Sequence, residues 1–176
     1  LRSELSSVLR SCSASALLVT HDPHEALAIC DRIVVMRGGE IQQYSTPLKV
    51  VSNPSNEFVG QFVLQMNVLP IQYTNHTYVT GIGKLNISID KSISADSVCM
   101  FDNKSIVIEP DKDGKFKVIS REYRINHYIY TVIIDDVKLS VEMGLDSTLA
   151  IGDKCNVLSV IGKEFLVLPE NIKSKF

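Results

Sequence analysis

A histidine at the end of an apolar run is the residue of this sequence best placed to do chemistry. His21 follows the apolar run Ala16–Thr20 and precedes Asp22. Its ring nitrogens can bind or hydrogen-bond a ligand. Ligands of open α/β sheets lie outside the carboxyl ends of the strands, so a histidine after a strand favours a ligand contact. A histidine that only caps a neighbouring group is the common alternative, and the residues alone leave both interpretations open.

Two further stretches have the composition of ligand-binding loops but not the spacing. The two glycines of Gly81–Lys84 do not have the spacing of a phosphate loop, no hydroxyl follows its lysine and no helix is predicted after it, so a hairpin turn is the better interpretation. Glu109–Gly114 begins like a calcium loop, but its twelfth position is Ser120 and not a glutamate. We interpret it as a polar turn, with Asp113-Gly114 as a strong hairpin signal.

The other histidines and the cysteines do not have metal-binding spacing. His24 lies in the first turn of a predicted helix, where solvation explains it, and His76 and His127 stand alone in strand-like surroundings. The four cysteines are far apart and have apolar neighbours: Cys12, Cys30, Cys99 and Cys155. We expect buried, reduced thiols and neither a disulfide framework nor a metal site.

The overall composition is that of an ordinary globular protein. Hydrophobic residues make up 45% of the 176 residues and charged residues 22%, which is enough apolar material for a core. The net charge of −2 supplies no basic surface for nucleic acid or an anionic membrane. No apolar run is long enough to cross a bilayer and no signal peptide is apparent, so we expect a soluble chain that can still dock on a membrane protein.

The elements that would position His21 lie in a first half that alternates helix and strand. Ala16–Thr20 is typical of a buried parallel strand. A helix is predicted over Pro23–Cys30, with Asp22 as N-cap and Glu25 closing a capping box. The other predicted elements are a helix over Leu1–Arg10, strands over Arg32–Met36 and Glu40–Tyr44 around a Gly38-Gly39 turn, and helices over Pro47–Val51 and Ser55–Phe62. So few elements cannot cover both faces of a parallel sheet, which indicates the tail of a larger α/β domain.

The second half, from about Asn67, consists of short β-branched runs separated by turn residues. Strands are predicted over Tyr78–Thr80, Lys84–Ile89, Ile106–Ile108, Lys115–Ile119, Tyr128–Ile134, Lys138–Met143, Asn156–Ile161 and Phe165–Leu168. Asp135-Asp136 is a weaker hairpin signal and Gly152-Asp153 another turn. Such spacing without a helix is typical of a small antiparallel barrel or sandwich. The boundary between the halves is predicted near Gln65–Val68.

Leu17–Pro47, which reads LLVTHDPHEALAICDRIVVMRGGEIQQYSTP, resembles the end of the nucleotide-binding domain of ABC transporter ATPases. The matching features are a strand ending in Thr-His-Asp, the Glu-Ala of the next helix, DRIVVM, a glycine turn, EIQQ and a Thr-Pro before a short helix. The resemblance implies that His21 is the switch histidine, which contacts the γ-phosphate of ATP across a composite dimer site. An imidazole can supply the hydrogen bond that phosphoryl transfer requires there.

Pro47–Gln72, which reads PLKVVSNPSNEFVGQFVLQMNVLPIQ, resembles the linker into a TOBE domain. This OB-like barrel follows the ATPase core in importers of the maltose, polyamine and ferric-iron types, and FVLQMNVLP (Phe62–Pro70) most resembles the ferric-iron branch. The resemblance implies an α/β tail of a P-loop ATPase domain over residues 1–64 and an all-β OB-like TOBE barrel over residues 65–176. The barrel would mediate dimerisation or regulation.

The sequence departs from this family in two places and lacks several of its motifs. Ser45 replaces the usual glycine before Thr-Pro, and Asp102-Asn103-Lys104 replaces an Arg-Pro-Glu segment. The phosphate loop, the Q-loop, the LSGGQ signature and the Walker B carboxylate do not occur among these residues. We expect that the segment begins just after the D-loop, and that alone it neither binds ATP tightly nor hydrolyses it.

The family resemblance implies the cofactors, the partners and the location of the complete protein. The parent would use ATP and Mg²⁺, form a homodimer of ATPase subunits, and bind an integral membrane permease. A periplasmic binding protein would be an indirect partner, nucleic acid would not be one, and the protein would lie peripherally on the cytoplasmic side of the inner membrane.

Three other functions compete with a ferric-iron importer. The transported substrate can instead be a polyamine, a sugar or an anion. The second half can be a sensor in which turn amides hold a small anion or the substrate. It can also be an OB-like barrel that stacks single-stranded nucleic acid on aromatic residues, which the balanced charge disfavours. The tyrosines available for such stacking are Tyr73, Tyr78, Tyr123, Tyr128 and Tyr130.

Overall fold

The computed structural model describes residues 8, 11, 15–74, 77–85, 97–134, 136–160 and 166–169. The chain divides into two compact units, Leu1–Leu64 and Gln65–Lys175. The helix predicted over Leu1–Arg10 lies outside the described residues except for Val8, which is helical. Each unit has its own buried core.

Over residues 15–64, the first unit contains three short helices and one β-hairpin. They are α1 (Pro23–Ile29), β1 (Ile33–Arg37), β2 (Glu40–Ser45), α2 (Pro47–Ser52) and α3 (Glu57–Leu64). All five were predicted, and their ends differ from the prediction by no more than two residues. The agreement has a local cause, because turn and cap residues next to each element set its ends.

The β1–β2 hairpin shows how local residues determine this unit. Gly38 and Gly39 adopt φ values of 58° and 84°, as a tight two-residue turn with positive φ requires. Ile33 and Val35 point into a core that also contains Val50, Val59 and Val63. Val34 and Met36, which alternate with them along β1, are exposed, and so are their partners on β2, Tyr44 and Ile41.

The strand predicted over Ala16–Thr20 does not form. Leu17 is 91% exposed and Val19 is 86% exposed, and these residues have no regular secondary structure. A β-strand exists only as part of a hydrogen-bonded ladder. Among the described residues, the sheet of this unit contains β1 and β2 alone, and every strand pair is antiparallel. The prediction of a buried parallel strand was therefore wrong for this structure.

Where the structure describes it, the second unit consists of strands with one short 3₁₀ turn at Asn103–Ser105. Its described strands are β3 (Asn67–Pro70), β4 (Gln72–Thr74), β5 (Thr77–Thr80), β6 (Gly83–Leu85), β7 (Ser97–Phe101), β8 (Ile106–Pro110), β9 (Phe116–Arg124), β10 (His127–Ile134), β11 (Val137–Met143), β12 (Lys154–Val160) and β13 (Leu166–Pro169). They form a five-stranded sheet in the order β11-β10-β9-β12-β8 and two three-stranded sheets, β13-β7-β3 and β4-β5-β6. A β-rich second half was predicted, and the described residues confirm it.

The hairpin predicted at Asp113-Gly114 is wrong, although the turn is present. The Gly114 N–H donates to the Asp111 carbonyl at 3.0 Å, but β8 and β9 do not pair. Instead β12 lies between them, pairing Cys155 with Pro110 on one side and with Phe116 on the other. The backbone of Gly114 passes so close to β12 that a Cβ atom there would lie 2.5 Å from the Cys155 carbonyl oxygen.

Other turns form as their residues indicate. Gly81 and Ile82 connect β5 to β6, where Thr80 pairs with Gly83. Ile134 pairs with Val137 across the predicted 135–136 turn. The Gly152 turn is closed by an Asp153 N–H that donates to the Ala150 carbonyl at 3.1 Å. Strand β7 was not predicted, because its five residues SVCMF are all buried and do not alternate.

A buried asparagine connects two sheets of the second unit. The Asn67 side chain donates to the Ser140 carbonyl at 2.8 Å and accepts from the Ser140 N–H at 2.7 Å. It thus takes the place of a strand neighbour for β11, 73 residues away in the sequence. The core beside it contains Leu69, Ile71, Cys99, Phe101, Ile106, Ile108, Phe116, Val118, Tyr130, Val132, Leu139, Val141, Leu149 and Cys155.

Candidate functional site

His21 lies in the turn that leads into α1, and it is exposed. Within the described part of the chain, no side chain is recorded as a hydrogen-bond partner of its ring. The imidazole is therefore open to an incoming group, and its direction depends on the backbone on either side. This is the arrangement that a residue contacting an external ligand requires, although the strand expected before it does not form.

The residues around His21 form a small hydrogen-bonded network. The Asp22 N–H donates to the Thr20 hydroxyl oxygen at 3.0 Å, and that hydroxyl donates to the Glu25 carboxylate at 2.9 Å. Asp22 is the N-cap of α1, and its carboxylate accepts from the His24 N–H at 2.8 Å. The predicted N-cap is confirmed. The predicted capping box is wrong, because the Asp22 N–H donates to the Thr20 hydroxyl and that hydroxyl, in place of the N–H, donates to Glu25. A capping box joins the N-cap residue to the residue three positions later, so the sequence pattern indicated Asp22 and Glu25 but not Thr20.

The other histidines were not predicted to be site residues, and the structure describes two of them, His24 and His127. His24 is exposed in α1, and His76 is outside the described residues. His127 is half-buried at the start of β10, with its Nε2 atom 3.6 Å from the Glu142 carboxylate of β11. The same carboxylate lies 3.8 Å from the Lys104 ammonium group. The sequence suggested that His127 stands alone, because its partner comes from a neighbouring strand 15 residues further along the chain.

The cysteines of the second unit are structural. Cys99 and Cys155 are fully buried, and burial raises the pKa of the Cys99 thiol to about 12 and that of Cys155 to about 11. Both are free, and Cys30 of the first unit is a half-buried free thiol. Cys12 lies outside the described residues. Among those that are described, no three His, Cys, Asp or Glu side chains are arranged to hold a metal ion.

Of the tyrosines considered above for stacking nucleic-acid bases, the structure describes the side chains of Tyr123, Tyr128 and Tyr130. Tyr130 is fully buried, and its hydroxyl donates to the Leu149 carbonyl at 3.1 Å. Tyr128 is half-buried and makes edge contacts with Tyr130 and Tyr123, with ring centroids 5.9 and 5.7 Å apart. Tyr123 is 67% exposed. For Tyr73 and Tyr78 the structure describes the backbone only. A buried ring cannot stack on a base, so Tyr130 was wrongly included.

No helix in the described ranges has the length and apolar character needed to cross a membrane. No protein-family profile matches the chain.

Three curated proteins with significant similarity have related names. An ABC transporter ATP-binding protein of Mycoplasma genitalium is 32% identical over 154 residues, which cover 82% of this chain and 25% of that protein. A ferric-iron import ATP-binding protein of Fusobacterium nucleatum is 33% identical over 120 residues, or 65% of this chain and 32% of that protein. A spermidine/putrescine import ATP-binding protein of Mesoplasma florum is 34% identical over 110 residues, or 56% and 31%.

The chain spans between a quarter and a third of the length of these three relatives. The similarity includes relatives named for different transported substrates, while the term ATP-binding protein is common to all three. Over most of its length, this chain is therefore homologous to the ATP-binding proteins of ABC transporters, importer subunits among them.

Proposed function

We propose that this chain is the C-terminal part of the ATP-binding subunit of an ABC importer. Residues 1–64 would be the end of the nucleotide-binding domain, and His21 would be its switch histidine. The observation that carries the proposal is the exposed imidazole of His21, which directly precedes the capped helix α1 in a chain homologous to ABC ATP-binding proteins. The THD sequence around it supports the same role.

The chemistry of phosphoryl transfer explains what His21 would do. The reaction is accelerated by groups that hold the γ-phosphate and the attacking water in line and stabilise the charge that develops. A ring N–H of His21 would donate a hydrogen bond to a γ-phosphate oxygen of bound ATP. After hydrolysis the γ-phosphate oxygens belong to inorganic phosphate, so the loss of the hydrogen bond when that phosphate leaves would report the end of the reaction to the turn before α1.

The remaining catalytic groups would come from other parts of the subunit. Mg²⁺ neutralises phosphate charge in such reactions, but the described residues include no carboxylate cluster fit to hold it. We therefore assign the Mg²⁺ ligands and the phosphate-binding loop to the rest of a longer protein. Titrating the 176-residue chain with Mg²⁺-ATP in a calorimeter should show no saturable binding below about 1 mM. Micromolar affinity would contradict this assignment.

We propose that the second unit, residues 65–176, is an OB-like TOBE barrel that mediates dimerisation or regulation. Its support is the linker resemblance and the all-β character of the described strands, in which Asn67 connects β3 to β11. The complete protein would form a homodimer of ATPase subunits, bind a membrane permease and lie peripherally on the cytoplasmic side of the inner membrane. A periplasmic binding protein would deliver the substrate to the permease.

Ferric iron is the substrate that we propose to test first. Its support is the resemblance of Phe62–Pro70 to ferric-iron importers and the Fusobacterium nucleatum relative. Spermidine or putrescine is the alternative, because the Mesoplasma florum relative is named for them with similar identity. Uptake of radiolabelled iron and putrescine by cells with and without the gene separates the two, since loss of only one uptake identifies the substrate.

The role of His21 is tested by ATP hydrolysis in the complete subunit assembled with its permease. His21→Ala should lower kcat by about 100-fold, as the removal of one preorganised donor does. His24→Ala is the matched control, because it removes another exposed imidazole three residues away and should leave kcat within about twofold. Hydrolysis at the wild-type rate by His21→Ala would contradict the proposed function.

A further inference from the structure

The backbone on both sides of His21 is held by the side chain of Thr20. The Thr20 hydroxyl accepts from the N–H of Asp22, two residues later, at 3.0 Å. A threonine hydroxyl that bonds two residues ahead closes a tight turn around the residue between them. That residue is His21, so the turn restrains the torsions that set the direction of its Cα–Cβ bond.

A charge-assisted hydrogen bond attaches this turn to α1. The Thr20 hydroxyl donates to the Glu25 carboxylate at 2.9 Å, and a hydroxyl that both donates and accepts has a defined rotamer. Glu25 lies in the first turn of α1, where the helix dipole stabilises a carboxylate. The segment before His21 and the helix after it are thereby joined through one hydroxyl group.

We propose that Thr20 and Glu25 are positioning residues that aim the His21 imidazole. This inference rests on the proposed function of His21 as the γ-phosphate contact. The ring has no recorded side-chain hydrogen-bond partner in the described part of the chain, so the backbone must supply its orientation. A hydrogen bond that acts in the transition state depends on sub-ångström placement, and a 1 Å error can cost about 100-fold in rate.

The substitutions that test this remove the hydroxyl or the carboxylate and keep the histidine. Thr20→Val preserves the branched shape but cannot bond Asp22 or Glu25, and Glu25→Ala removes only the second bond. Each should lower kcat for Mg²⁺-ATP by about 10- to 100-fold and leave KM within about twofold, since a hydrogen bond that strengthens as charge develops on the γ-phosphate stabilises the transition state more than bound ATP. The assay is ATP hydrolysis by the complete subunit with its permease.

Two conservative variants should rescue activity. Thr20→Ser retains the hydroxyl, and Glu25→Gln retains an acceptor oxygen for it, so both should keep kcat within about threefold. Thr46→Val is the matched control for lost stability, because Thr46 caps α2 through the Lys49 N–H and is not part of the His21 turn. It should lower the melting temperature slightly and leave kcat unchanged.

The kcat values of these variants distinguish the positioning role of Thr20 and Glu25 from the proposed function of His21, on which it rests. If His21→Ala abolishes hydrolysis while Thr20→Val and Glu25→Ala retain wild-type kcat, His21 acts without positioning by its neighbours and the inference is overturned. If His21→Ala itself retains full activity, the proposed function fails first. Should Thr20→Val melt well below Thr46→Val, Glu25→Ala decides by the same kcat criterion.

Discussion

The two units of this chain are stabilised by contacts of different sequence range. In the first unit, a two-glycine turn and helix caps formed by Asp22 and Thr46 lie beside the elements that they determine. In the second, β12 inserts between β8 and β9, and Asn67 bonds to Ser140 across 73 residues. Local signals therefore describe the first unit well, whereas the second depends on pairings that no short segment contains.

This difference predicts that the second unit is most sensitive where distant backbones meet. Gly114→Ala would place a Cβ atom 2.5 Å from the Cys155 carbonyl oxygen, so β12 or the turn must move. We expect a loss of about 3 kcal/mol in the free energy of unfolding. Urea unfolding followed by tyrosine fluorescence measures it, because five of the six tyrosines lie in the second unit.

Gly81→Ala is the control for that substitution. Gly81 also lies in a turn of the second unit, but a Cβ atom there meets nothing within 4 Å. Its free energy of unfolding should change by less than about 0.5 kcal/mol. Equal losses from the two variants would show that the close approach of Gly114 to β12 is unimportant.

Loss of the two hydrogen bonds between the Asn67 side chain and the Ser140 backbone should have the next largest effect on the free energy of unfolding. Asn67→Ala leaves the Ser140 N–H and carbonyl without their side-chain partner, at an expected cost of about 2–3 kcal/mol. Asn53→Ala is the comparison in the first unit, because the recorded hydrogen bonds of Asn53 use its main chain. It should cost less than about 0.5 kcal/mol by the same urea measurement. A small effect at Asn67 would mean that the sheets hold together without it.

The buried thiols predict a loss of stability of the second unit in alkali. Their pKa values, about 12 for Cys99 and about 11 for Cys155, lie above the ordinary value of 9.0, so the unfolded chain loses these protons first. The contribution of the two protonated thiols to the free energy of unfolding is complete below pH 9 and declines as the pH rises from 9 toward 11 for Cys155 and toward 12 for Cys99. The decline is at most about 1.4 kcal/mol per pH unit for each thiol.

Unfolding in urea at pH 8, 9 and 10 measures this slope. Cys99→Ala removes one of the two titrating groups, so its free energy of unfolding should fall less steeply with pH than that of the wild type, whatever its value at pH 8. Parallel slopes for the two proteins would contradict the contribution of Cys99.

The smallest predicted effect lies at Gln65, where α3 ends. Gln65 has a φ of 53°, a left-handed conformation that favours glycine after a helix. Gln65→Gly should therefore stabilise the protein by about 0.5 kcal/mol. Gln61→Gly, in the exposed interior of α3, should instead destabilise it by about 1 kcal/mol. Melting followed by circular dichroism at 222 nm, where helices such as α1, α2 and α3 absorb, tests whether the signs are opposite.

Much of the candidate site could be predicted from the sequence. The N-cap Asp22 and the helix that follows it were predicted from adjacent residues, because capping depends on groups two or three positions apart. His21 was chosen from the family resemblance, and its role stays a prediction. Thr20 was read only as the end of a strand. Its role depends on a hydroxyl that bonds Asp22 and Glu25 together, which appears only when the turn has folded.

The sequence by itself determined the helices α1, α2 and α3, the Gly38-Gly39 hairpin and the change to β structure near residue 65. These depend on backbone torsions and side-chain bonds within a few residues. Only the tertiary structure decided that Ala16–Thr20 forms no strand, that β12 separates β8 from β9, and that Tyr130 is buried. The physical reason is that a strand obtains its hydrogen bonds from a partner elsewhere in the chain, so its existence and neighbours depend on which distant segments are available.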